Sequence, residues 1–93
     1  MSDTILSDAH SIVMDGIRSL EKDEKKAAEL CLKATECLSR WTPVPEQVGY
    51  GIETARRAMT SILTGEVFQP RIKDAVRMHL GNLDLAIYEM RRR

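Results

Sequence analysis

Ser19-Leu20-Glu21-Lys22-Asp23-Glu24-Lys25-Lys26-Ala27-Ala28 decides the architecture of the first half of this chain. On either side of it, apolar or small residues recur at Leu6, Ala9, Val13, Gly16 and Leu20, then at Ala27, Leu30, Ala34, Cys37 and Trp41. This 3-4 spacing keeps its phase throughout and is interrupted only at Asp23, so both sides are helical and present an apolar face. The stretch holds neither Gly nor Pro, which leaves two arrangements. Residues 4–40 form one helix, or they form two helices parted near Ser19 to Asp23, with either residue as an N-cap. One helix of that length runs about 54 Å. A compact chain of this size has a radius of gyration near 12 Å, so the long helix projects and calls for a second copy to cover it. A homodimer is therefore expected.

Further along, Trp41-Thr42-Pro43-Val44-Pro45 is the strongest punctuation in the chain. Two prolines in five residues end a helix, and Pro45 suits the first position of the next one, where a missing N–H costs nothing. Beyond it, Val48, Ile52, Ala55, Met59 and Ile62 form one stripe. Gly65 takes the left-handed position after that helix, Pro70 opens the last, and Ile72, Val76, His79, Leu83, Ala86 and Met90 form its stripe. Gly81-Asn82 falls inside a segment that keeps its phase, and the helix is read as continuous there, with a kink. No segment alternates as a strand does. The expectation is a single all-α domain over residues 1–93, a small bundle of three or four helices with a Pro-marked loop at 42–45.

Composition narrows the classes of function. The 93 residues are 43 % hydrophobic and 30 % charged, with 14 Lys and Arg against 14 Asp and Glu, the balance of a folded globular chain. Apolar runs are short, such as Ile12-Val13-Met14, so no membrane segment is expected. The opening Met-Ser-Asp-Thr-Ile-Leu-Ser-Asp carries acid where a secretory leader carries Lys or Arg, which predicts a cytoplasmic protein. Cys31 and Cys37 lie about 240° apart around a helix and read as small buried groups. His10 and His79 are isolated, so neither a metal site nor a cofactor is expected.

Chemistry-bearing patterns are sparse. Ser7, Asp8 and His10 point in different directions on a helix and lack a nucleophile elbow. Gly49-Tyr50-Gly51 lacks the remaining residues of a phosphate loop and reads as small residues for close helix approach. No paired Glu-x-x-His occurs. The chain is thus expected not to be an enzyme. Charge is divided unevenly, with nine acids and six bases in residues 1–46 and five acids and eight bases in 47–93. Arg56, Arg57, Arg77 and Arg91, interleaved with Met59, Met78 and Met90, are the candidate partner-binding residues, together with Trp41. The function expected is that of a small helical module that binds a protein partner as a regulator, adaptor or inhibitor.

Residues 45–81 also offer an alternative. Val48, Gly49, Ile52, Met59, Ile62, Gly65, Pro70 and His79-Leu80-Gly81 resemble the repressor-type helix-turn-helix, with the turn at Glu53-Thr54. That resemblance implies a DNA-binding transcriptional regulator, with Thr54, Arg56, Arg57 and Thr60 near base edges or phosphates.

Overall fold

The computed structural model describes residues 2–41, 44, 46–65 and 71–92. It contains four helices, α1 (Ser2–Ser19), α2 (Glu24–Leu38), α3 (Glu46–Thr64) and α4 (Ile72–Arg92), and no strand among those residues. The first half is the parted pair. Asp23 is extended, with φ −154° and ψ 91°, and its carboxylate accepts the Lys26 N–H at 3.1 Å, satisfying one of the amides that open α2. The one-helix alternative is thereby corrected. A rod of about 54 Å also exceeds the longest dimension of the molecule, 37 Å, and the radius of gyration is 12.5 Å.

Because the chain turns back at Leu20 to Asp23, its long stripe is folded onto itself. Leu6, Ala9, Val13 and Leu20 of the first limb and Ala27, Ala34 and Cys37 of the second all enter one core. That stripe needs no second copy to cover it. Around the bundle, α1 touches α2 and α4, and α3 touches α2 and α4. The diagonal pair α2 and α4 also meets, whereas α1 and α3 do not touch. Residues on α2 and α4 are consequently buried over a broad arc, including Ala28, Cys31, Thr35 and Leu38 on one helix and Leu80 and Ile87 on the other.

Gly65 has φ +74° directly after Thr64, the left-handed position expected of it. Ser39 closes α2, its N–H donating to the Thr35 carbonyl at 3.0 Å while the Arg40 N–H donates to the Cys37 carbonyl at 3.2 Å. Thr42, Pro43, Pro45 and Pro70 lie outside the described residues, but the interruptions they announce stand between Leu38 and Glu46 and between Thr64 and Ile72. At the first of these, Trp41, Val44 and Val48 are half-buried against the core. Gly49 fits that corner, since a Cβ on it would stand 3.4 Å from Val44 Cγ1. The same reading fails for Gly51, where an added Cβ meets nothing within 4 Å.

The second half departs from the helix-turn-helix pattern in two places. Residues Glu46–Thr64 form one unbroken helix, so Glu53 and Thr54 lie mid-helix with no turn. Nor does Gly81 close a helix, because α4 runs through it to Arg92. The physical reason is the single phase shared by Val48, Ile52, Ala55 and Met59, which lets one helix bury Ile52, Ala55 and Met59 and half-bury Val48 on the side that meets α2 and α4.

Candidate functional site

The five sequence candidates are distributed around the bundle. Arg56 donates to both carboxylate oxygens of Glu53, and it faces α2, where Glu36 adds attraction. Arg57 reaches the same Glu53 at 3.2 Å. Two guanidiniums on one carboxylate pull Glu53 down to about 2, chiefly through the Arg56 hydrogen bond. Arg77 lies at the opposite edge of the bundle, joined to Asp74 at 3.2 Å and to Glu21 of the α1–α2 turn at 3.0 Å. Lys73 joins the same Glu21 at 3.3 Å, and its hydrogen bond is the main cause of the lowered Glu21 pKa. These contacts pin the turn onto the start of α4.

Arg91 follows Arg77 by two heptads on that same flank, and both are exposed. Trp41 belongs to the core corner already described. Two of the three methionines proposed to interleave with the arginines are core residues, with Met59 at 0 % and Met90 at 2 % exposure. They occupy the α3 and α4 stripes that face inward, so only Met78 offers a surface.

A different surface emerges. Five large apolar side chains are exposed among the described residues, and four of them, Tyr50, Met78, Leu85 and Tyr88, lie on α3 and α4. Three share one line. At ~100° per residue, Met78, Gly81, Leu85 and Tyr88 fall within an arc of about 80°, directly opposite the buried Val76, Leu80, Leu83 and Ile87. Leu85 and Tyr88 are 64 % and 60 % exposed, and Met78 is 56 % exposed. Asp74 and Arg92 continue the line at its two ends. The Arg92 guanidinium stands 5.8 Å from the Tyr88 ring centroid and 3.7 Å from Glu89, which tethers both to the face.

Beside this line runs a groove of about 200 Å³ between α3 and α4, floored by Val48, Ile52 and Leu83 and edged by Gly51, Leu85 and Ala86. Gly51 keeps its wall low. The other hollows on the α1 and α2 side are lined largely by charged residues, such as Asp8, Lys33, Glu36 and Arg40. The outer face of α4 and the adjoining groove are therefore an apolar accessible surface, in contrast to those charged hollows.

Elsewhere the potentially reactive groups are enclosed. Cys31 and Cys37 are unpaired and buried, and burial pushes the Cys31 thiol up to about 12 and raises that of Cys37. Burial lowers the pKa of His79, while His10 on α1 lies 3.8 Å from Asp84. Among the described residues no group of three His, Cys, Asp or Glu is arranged to hold a metal ion. No helix among them is long and apolar enough to cross a membrane.

The surface stripe was legible in principle. Leu85 and Tyr88 fall out of phase with the inward stripe of α4, and a second heptad-spaced apolar line on one helix signals two covered faces. Compared with known proteins, the chain matches no protein-family model, no curated protein and no solved structure.

Proposed function

We propose that this chain is a small, non-enzymatic protein-binding module whose working surface is the outer face of α4 with the adjoining α3–α4 groove. One observation carries the reading: Met78, Leu85 and Tyr88 form a solvent-exposed apolar line on a helix whose opposite side already fills the core. Scattered exposed apolar residues are ordinary, whereas a contiguous line rimmed by charge is the mark of a docking face. An amphipathic helix is the occupant such a face and groove accept, with anchors at i, i+3 and i+7 spacing. Two unpaired buried cysteines support a reducing compartment such as the cytoplasm.

Arg56 and Arg57 have a structural task in this reading, since Glu53 engages both, and Arg77 likewise holds the α1–α2 turn. The test is capture by chemical cross-linking in lysate of the native host, followed by mass spectrometry, with wild type and Leu85→Asp compared. A foreign protein captured by wild type and lost in the variant supports the docking face. Capture that survives Leu85→Asp places the working surface elsewhere.

A further inference from the structure

The line on α4 is complementary to itself when read backwards. In heptad terms Met78, Leu85 and Arg92 occupy one position, and Asp74, Gly81 and Tyr88 occupy the other. An antiparallel pair of helices sets the first kind against the second. We propose that the occupant of this face is a second copy of the chain, α4 lying antiparallel on α4 with Gly81 against the partner's Leu85. The proposal rests on the reading of this face as a docking surface and names what docks there.

Every layer then matches in size or charge. Leu85 enters the space left by the partner's Gly81, Met78 lies against the partner's Tyr88, and Asp74 meets the partner's Arg92. A two-fold axis repeats each of these contacts. The competing arrangements are worse. A parallel pair stacks Asp74 on Asp74 and Arg92 on Arg92, which repel, and stacks the two Gly81 residues, which leaves a gap. Sliding the antiparallel pair by one heptad sets Leu85 on the partner's Asp74, or carries Met78 past the last turn of the partner's α4.

Gly81 supplies an independent reason. Glycine inside a helix disfavours the fold by about 1 kcal/mol relative to alanine. No contact among the described residues explains it, because a Cβ at Gly81 meets nothing within 4 Å there. A neighbouring leucine seated on the bare backbone does. The face from Asp74 to Arg92 is about 27 Å long, which for one helix pair falls at the small end of specific interfaces.

Sedimentation equilibrium from about 10 to 300 μM tests this. Wild type is expected to pass from a 10.5 kDa species to twice that mass. Leu85→Asp is expected to remain monomeric with its helical circular dichroism intact. Gly81→Ala is the sharper variant, raising the thermal midpoint while weakening the dimer by about tenfold. Charge fixes the register: Asp74→Arg and Arg92→Asp each weaken association, and the double variant restores it. A wild-type chain that stays monomeric overturns the pairing, as does a dimer indifferent to Leu85→Asp and Gly81→Ala. Capture of a foreign protein by a monomeric chain would leave the docking reading standing, whereas neither capture nor self-association would remove both.

Discussion

Leu80 Cδ2 lies 2.9 Å from the point where a Cβ on Gly16 would stand, with Cδ1 at 3.3 Å. The packing of Leu80 of α4 on α1 is thus built on the absence of a side chain. Leu30 of α2 closes the same spot at 3.5 Å. Leu80 is fully buried, so its methyls have no free volume into which to retreat. Gly16→Ala gains about 1 kcal/mol of helix propensity and incurs roughly 1–3 kcal/mol of overpacking. The expected result in urea melts is a net loss of about 1 kcal/mol. Gly51→Ala is the control at an open site and should gain about 0.5–1 kcal/mol.

The turn between α1 and α2 depends on Asp23 for its geometry. Its carboxylate caps the Lys26 N–H, while the Asp23 N–H donates to the Ser19 carbonyl at 2.8 Å. Asp23→Ala removes the cap and keeps the turn hydrogen bond. The expected cost is about 1 kcal/mol, and Asp23→Asn should recover most of it, because Asn caps as well as Asp. Equal losses in both variants would assign the effect to charge, since Lys22 and Lys26 are neighbours, and not to capping.

Residue spacing made the inward faces of α1, α3 and much of α4 readable, because each of those faces is a single 3-4 stripe. It could not reveal Leu80, Ile87, Ala28 or Leu38 as core. Those residues are buried because α2 and α4 meet across the diagonal, and diagonal contact depends on how four helices are arranged in space. The choice between one long helix and two turned on a single side chain, Asp23, whose capping bond is a local competition that periodicity does not register. The site was read from residue type, by the enrichment of arginine at interfaces. Most of those arginines proved to be engaged by Glu53, Glu21 and Asp74, partners that only the fold brings into range or that lie one helical turn away. The exposed line on α4 was written in the same periodicity, one face over.

Trp41 follows α2 with its N–H donating to the Leu38 carbonyl at 3.0 Å, and it is half-buried against the core, as are Val44 and Val48. The indole therefore closes the end of the bundle where α2 passes to α3. Trp41→Ala should cost about 2 kcal/mol, below the roughly 3–5 kcal/mol of a fully enclosed ring. Tryptophan fluorescence offers a direct check, with a blue-shifted maximum in the native state that moves red on unfolding. A maximum already at the solvent-exposed wavelength in the folded protein would contradict the packing.

His79 gives the fold a pH dependence of definite sign. Its ring is 8 % exposed on the inward face of α4, and burial lowers its pKa below the ordinary 6.5. The native state thus binds fewer protons at this site than the unfolded chain does, wherever the pH lies between the two values. Stability consequently rises with pH through that window, is complete above about 6.5, and is lost as the pH falls below it. Glu53 and Glu21, whose pKa values are lowered in the native state, contribute a similar loss only as the pH falls through their unfolded value of 4.5 and below. The interval between about 4.5 and 6.5 therefore isolates the histidine from these carboxylates. Urea midpoints measured at about pH 8 and about pH 5.5 should fall for wild type and fall less for His79→Leu, with the difference reporting His79 alone. Equal falls in the two proteins would show that the burial of His79 does not set the acid sensitivity.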